Sequence, residues 1–289
     1  MKGKKSDDVY LTIYGYKTFG EEHFAEEFFQ MLNDANPAYL SHKIGIYEPI
    51  KTPFSMEEAK KMWVESERVG ELYGGIMLKG QKTRGDISWK NDNSNIVGLV
   101  MSREFVIKNN GTKKFIELAK KLFLWSNGVY GYACHISNFI YKPGLSHETC
   151  LGHITWMTLY GPPYVEMFGK EVIQIAPCKV EEFARDRFIL LTSDEPMEIN
   201  PEMLEIQERI KKHPGEDAFC RKEPFRTEPL TMEDLIAGRD SPSTEGYRSP
   251  DLSSYITDSG KKDEDDGLVV KINDDGTMMT YKVKPEQKK

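Results

Sequence analysis

Over residues 9–16 the chain alternates. Val9, Leu11 and Ile13 fall on one side of an extended segment, and Tyr10, Thr12, Tyr14 and Tyr16 fall on the other. Successive side chains of a strand point to opposite faces, so this period of two predicts a β-strand with an aliphatic face and a tyrosine-rich face. The aliphatic face demands cover, and the next segment supplies it. Residues 21–33 carry Phe24, Phe28, Met31 and Leu32 at helical spacing. Ile44 and Ile46 mark a second strand closed by Pro49. Ser55-Met56-Glu57-Glu58 reads as a capping box, in which hydroxyl and carboxylate satisfy free amides of the first helical turn. The helix it opens turns Ala59, Met62 and Trp63 inward.

Three strands are expected next, at residues 75–79, 86–90 and 95–101, punctuated by Gly80 and by Asn91-Asp92-Asn93-Ser94. Residues 112–126 form the clearest helix, with Phe115, Leu118, Ala119 and Leu122 on one stripe and Gly128 just past its end. A strand follows at 130–137. The resulting order, β-α-β-α-β-β-β-α-β, predicts an α/β (α+β) fold: a mostly antiparallel sheet with helices packed on one face and ferredoxin-like elements. Beyond Pro143, residues 148–160 are expected to be helical, and Gly161-Pro162-Pro163 breaks the chain. A short helix at 164–168 stops at Gly169, extended segments follow at 172–176 and 188–192, and a helix at 201–212 ends at His213-Pro214-Gly215. Residues 1–227 thus read as a single globular domain.

After Thr227 the composition changes. Ser241-Pro242-Ser243-Thr244 and Lys261-Lys262-Asp263-Glu264-Asp265-Asp266 cannot bury enough apolar surface to offset ordering, so residues 228–266 read as a disordered linker. Residues 267–284 differ. Leu268-Val269-Val270-Lys271-Ile272 and Thr277-Met278-Met279-Thr280-Tyr281 flank Asn273-Asp274-Asp275-Gly276, a hairpin signal. A lone hairpin is marginal in water, so this one is expected to dock on a sheet edge of this chain or of a partner.

Forty-six acidic against 39 basic residues give a formal net charge of −7. That excludes a general nucleic-acid binder, whose phosphate contacts need a basic surface, and suits a basic protein partner. No apolar run approaches the roughly 20 residues that span a bilayer. Basic residues open the chain, but no apolar stretch follows them as a signal peptide requires. Cys134, Cys150, Cys178 and Cys220 form no CxxC pair and are expected to be reduced, as in a cytoplasmic protein.

The residue types best suited to chemistry lie in His147-Glu148-Thr149-Cys150-Leu151-Gly152-His153, with Cys134 and His135 upstream. They suit zinc, but the histidines are six residues apart, and one helix face brings together residues four apart. A metal-dependent hydrolase built there is one reading; buried cysteines and hydrogen-bonded histidines are the other. Neither a phosphate-binding glycine loop nor a nucleophile with its orienting partners is recognisable. The expectation is therefore no catalytic residue, no cofactor and no metal. Tyrosine and tryptophan bury area at low entropy cost, which makes Tyr14, Tyr16, Trp89, Tyr132 and Tyr164 the candidate partner-binding residues. For the tyrosines the alternative is that their face packs under helices.

Trp156-Met157-Thr158-Leu159-Tyr160-Gly161-Pro162-Pro163-Tyr164-Val165-Glu166-Met167-Phe168-Gly169 resembles a segment of bacterial toxin-immunity proteins, the immunity protein 52 family and related type VI immunity proteins. A tryptophan-led stretch there reaches a Gly-Pro turn, a short helix and a glycine. Gly85-Asp86-Ile87-Ser88-Trp89, Tyr130-Gly131-Tyr132 and the stretch from Ala176-Pro177 to His213-Pro214-Gly215 are also similar, so the likeness spans roughly residues 75–220. It implies a cytosolic bacterial protein that binds a cognate toxin or effector and blocks it, with no catalysis and no cofactor. A structural, phage- or defence-associated assembly component is the alternative that the terminal hairpin favours.

Overall fold

In the computed structural model of the chain, residues 7–69, 73–90, 92–108, 111–138, 151, 154–198, 200–219, 248–256, 268–272 and 278–282 are described. The alternating segment at the start becomes β1 (Asp8–Tyr16). It is followed by α1 (Glu22–Ala35), β2 (Lys43–Gly45), β3 (Thr52–Pro53) and α2 (Met56–Val69). A meander of β4 (Tyr73–Lys79), β5 (Thr83–Lys90) and β6 (Ser94–Ser102) comes next, then α3 (Arg103–Ile107), α4 (Gly111–Trp125) and β7 (Gly128–His135). Beyond it lie β8 (Met157–Tyr160), α5 (Pro162–Phe168), α6 (Lys170–Gln174), β9 (Lys179–Ala184), β10 (Arg187–Leu191) and α7 (Pro201–Lys212). The strands form one ten-stranded sheet in the order β3-β2-β4-β5-β6-β1-β7-β8-β10-β9, and every pairing in it is antiparallel.

β1 occupies the middle of the sheet and pairs over its length with β6 on one side and β7 on the other. Its aliphatic face is buried, as the alternation requires: Val9, Leu11 and Ile13 are each at most 1% exposed. They join Ile76, Leu78, Ile87, Val97 and Leu99 in a core closed by α1, α2 and α4. The helices contribute Phe28, Phe29 and Leu32, then Trp63, then Phe115, Leu118 and Leu122. Trp63 stacks on Trp89 at 4.9 Å between ring centroids, and Phe19 meets both edge-on. Gly74 makes room for this: a Cβ there would lie 2.3 Å from the Trp89 ring. The Ser55 hydroxyl accepts from the Glu58 amide at 3.1 Å, the first half of the expected capping box.

The mixed class and antiparallel sheet follow the pattern in the sequence, but helices are not confined to one face. Over β7, β8 and β10 the second face is also covered, by α5, α6 and α7, around Tyr130, Tyr160, Tyr164, Phe168, Phe188 and Ile210. Two elements differ in type from the sequence reading. Residues 157–160 are strand rather than helix, because all four are buried and an apolar run buried on both faces carries no period to tell the two apart. Residues 172–174, the start of the stretch 172–176 expected to be extended, belong to α6, which begins immediately after the positive-φ Gly169. β9 escaped notice because its run of charges lies on the sheet edge, where charge blunts edge pairing. Lys120 of α4 nonetheless anchors it, reaching Glu181 at 2.7 Å while itself only 8% exposed.

The compact unit containing the sheet extends to Ile256. Within the stretch read as linker, Arg248 donates to the Pro214 carbonyl and pairs with Asp217, Leu252 is buried, and Tyr255 tilts against Tyr16 at 6.0 Å. Residues 248–256 are therefore packed on the domain, and the domain does not stop at 227. The rest of 228–266 lies outside the described residues. The second unit contains the expected hairpin, β11 (Leu268–Ile272) paired antiparallel with β12 (Met278–Lys282). No helix among the described residues is long and apolar enough to cross a membrane.

Trp156 tests the packing beyond β1. Its side chain is fully buried, stacks on Phe115 at 6.1 Å, and donates from its indole to the Ser193 carbonyl at 3.0 Å. Trp156→Ala is expected to cost about 3–5 kcal/mol in chemical denaturation. A loss under about 1 kcal/mol, typical of a surface change, would contradict this placement.

Candidate functional site

Along β4, β5 and β6 the face opposite the helices is a shallow concave floor. Cross-strand register sets Met77 opposite Asp86 and Asp86 opposite Gly98; one step along, Gly75 faces Ser88 and Ser88 faces Ile96. Small residues at Gly75 and Ser88 lower this floor, and the loop Ile46–Ile50 stands beside it, leaving an open depression of about 1000 Å³ whose lining also includes Lys79, Arg84 and Lys90. Two large apolar side chains are exposed here, Tyr47 at 61% and Ile96 at 39%. A concave surface that mixes apolar walls with a few polar groups is the usual form of a binding site.

Asp86 is one of the residues that line that depression. A Cβ on Gly98 would come within 2.8 Å of its Oδ1, so the carboxyl rests over the glycine where any larger residue would crowd it. The group is open to solvent on its outer side yet surrounded by sheet and walls, and burial pushes its carboxyl above the ordinary range. It makes neither an ion pair nor a hydrogen bond with the described residues. Arg84, two residues away on the same face, has its guanidinium 3.9 Å from Asp8.

The five aromatic candidates separate into three situations. Tyr14 and Tyr132 are half-buried on the second face, where Tyr14 opposes Ile96 across β1 and β6 and so adjoins the depression. The two tyrosines are hydrogen-bonded, Tyr132 also engages Thr12, and Tyr14 stacks on Tyr130 at 6.2 Å. Desolvation raises the pKa of both phenols and keeps them neutral. Tyr16 and Tyr164 share this face but are buried, at 5% and 1% exposure, Tyr16 against Tyr255 and Tyr164 within the ring cluster of Tyr130, Tyr160 and Phe168. Trp89 points the other way, into the helix-covered core. Buried side chains offer no contact area, so of the five only Tyr14 and Tyr132 have appreciable solvent-facing surface.

Cys134 and His135, grouped in the sequence as potential ligands, are consecutive on β7 and project to opposite faces. Cys134 is buried and its thiol is pushed up to about 12 by desolvation. His135 Nδ1 accepts from the Ser137 amide at 3.2 Å, which leaves Nε2–H to donate to Asp7 Oδ1 at 2.9 Å. With Glu198 nearby, these make up a His/Asp/Glu group at one end of β1 and β7. Its bonds fasten that strand end, and Asp7 and Glu198 are solvated. His147, Cys150 and His153 lie outside the described residues.

Asp86, Ile96, Met77 and Tyr47 went unnoticed in the sequence. The signal was an aspartate, a poor strand residue, at the centre of the polar series Arg84, Asp86, Ser88 and Lys90. Because folding raises its pKa, ionised Asp86 opposes folding above that pKa, and the penalty vanishes once pH falls below the unfolded value near 4. Asp86→Asn is therefore expected to melt higher than the parent at neutral pH, with the gap closing as pH falls through the carboxylate range. A lower melting temperature at neutral pH, or a gap that widens on acidification, would contradict this.

No family model and no curated protein matches the chain. Among solved structures it is similar to a Pseudomonas aeruginosa T6SS protein, PA0821, with a TM-score of 0.51 and 12% identity over 70% of this chain and 76% of that one. At that identity the likeness is one of fold alone.

Proposed function

We propose that the chain is an immunity-type binding protein, acting in the bacterial cytoplasm, that neutralises a cognate toxin or effector by direct contact. The observation that carries this reading is the open concave face of β4, β5 and β6, where Tyr47, Met77 and Ile96 surround a carboxylate without a described partner. Large apolar side chains exposed beside polar groups are what a protein interface uses. Tyr14 and Tyr132 extend the surface toward β1 and β7. The acidic balance supports a basic partner, since opposite net charge speeds encounter. The sequence resemblance to immunity proteins, and the fold likeness to a T6SS protein, support a role in competition between bacteria. Inhibition would be steric, by covering the toxin's working surface, and needs no catalytic group on this chain.

Protection tests this directly. If a toxin gene lies beside this one, cells expressing that toxin are expected to grow when the chain is co-expressed. Ile96→Asp places a charge on the apolar wall without entering the core, and is expected to weaken toxin binding at least about tenfold, or about 1.4 kcal/mol, with an unchanged melting temperature. Lys114→Glu, exposed on α4 across the sheet, should protect fully. Failure of the unaltered chain to protect would overturn the reading, and full protection by Ile96→Asp would remove this face from it.

A further inference from the structure

We infer that His135, Asp7 and Glu198 form a binding site for one divalent transition-metal ion of the zinc class, at the shared end of β1 and β7. The site is independent of the toxin-binding reading. A ring nitrogen of His135 and one carboxylate oxygen each from Asp7 and Glu198 all lie within 4.8 Å of one another. Ligands about 2.0–2.2 Å from one ion stand about 3–3.5 Å apart, so the trio is close to a coordination sphere before any ion enters. His135 Nε2 and Asp7 Oδ1, at 2.9 Å, are already near that spacing. Glu198 is exposed and closes the remaining gap by rotation of its side chain.

Three segments far apart in the chain bring these groups together. His135 ends β7 opposite Val9 of β1, on the helix-bearing face and away from the depression. Arg103, the first residue of α3, holds the other two segments. Its backbone N–H donates to the Asp7 carbonyl at 2.7 Å, and its Nε donates to the carbonyl of Pro196, two residues before Glu198, at 2.6 Å. Neither bond uses a carboxylate. The scaffold therefore holds two negative groups side by side, where they repel, and among the described residues no lysine or arginine pairs with either. A bound cation relieves that repulsion.

The buried imidazole selects the ion. Nε2 can coordinate only without its proton, which then belongs on Nδ1. Ser137 Oγ lies 2.8 Å from Nδ1 and can accept it, an arrangement that metal-binding histidines use. The ring stays neutral as its proton moves from Nε2 to Nδ1, and the Ser137 amide, which donates to Nδ1 in the free form, gives up that bond. One imidazole with two carboxylates suits zinc, and manganese after it, whereas magnesium and calcium prefer oxygen alone. Three protein ligands leave at least one position for water or for a group from a partner. The ion would fasten the segment before β1 to the end of β7 and to the loop after β10.

Equilibrium dialysis of the untagged, EDTA-treated full chain against zinc chloride, with bound metal counted by mass spectrometry, tests the site. About one equivalent is expected at low micromolar free zinc, with magnesium and calcium at least about a hundredfold weaker. Asp7→Asn and Glu198→Gln keep the size of the side chains and should each weaken zinc at least about tenfold; Ser137→Ala, which removes a positioning hydroxyl, should cost about tenfold or more. Zinc should raise the melting temperature of the parent but not that of Glu198→Gln, whose zinc-free melting temperature should match the parent's. A His147→Ala/His153→Ala double variant should bind zinc as the parent does. Absence of binding below about 100 μM zinc, undiminished binding by Asp7→Asn and Glu198→Gln, or loss of zinc only in the double variant would overturn the inference.

Discussion

The architecture depends on β1 being paired along both edges at the centre of the sheet. Val9, Leu11 and Ile13 on one face seat α1, α2 and α4, while Tyr14 and Tyr16 on the other take part in the tyrosine cluster under α5 and the 248–256 segment. β1 also joins the two halves, pairing with the β4-β5-β6 meander through β6 and with the β8-β10-β9 half through β7. A one-residue slip of this strand would move each set of side chains to the wrong face. The His135–Asp7 hydrogen bond and the Asn127 amide donating to the Tyr16 carbonyl hold its two ends in register.

From that constraint comes a division of labour between the halves. Over β7, β8 and β10 the second face is filled by Tyr130, Tyr160, Tyr164, Phe168 and Phe188, with α5 to α7 above, so its aromatic content goes into packing. Over β4, β5 and β6 the same face carries glycine, serine and Asp86, with exposed Ile96 and Tyr47 beside them. The first arrangement buys stability. The second leaves an open concave surface with exposed apolar side chains, the kind of surface that the proposed binding role would use.

Much of this was legible in the sequence where the signal is local. The two faces of β1, the stripe of Phe115, Leu118 and Leu122, the Ser55 cap, the Gly169 stop and the terminal hairpin follow from period and turn chemistry alone. Residues 157–160 and 172–174 did not, because an apolar run buried on both faces has no period and a five-residue helix has too little length to show one. The site was less legible for a different reason. Tyr14 and Tyr132 could be placed on one face, but which part of that face is covered depends on α5 to α7, far along the chain. Trp89, sharing its face with Ile87, belonged with the core from the start. Asp86 gains its meaning from Gly98 on the neighbouring strand, a pairing that exists only after folding.

The central claim is that the open face of β4, β5 and β6 is where a toxin is held. Hydrogen exchange of the chain, alone and in complex with a toxin that it neutralises, measures this most directly. The account predicts that protection on binding concentrates in the Ile46–Ile50 loop and in residues 74–79, 84–90 and 94–100. Protection confined to the helix-covered face, or to α5, α6 and α7, with those strands exchanging as in the free protein, would contradict it.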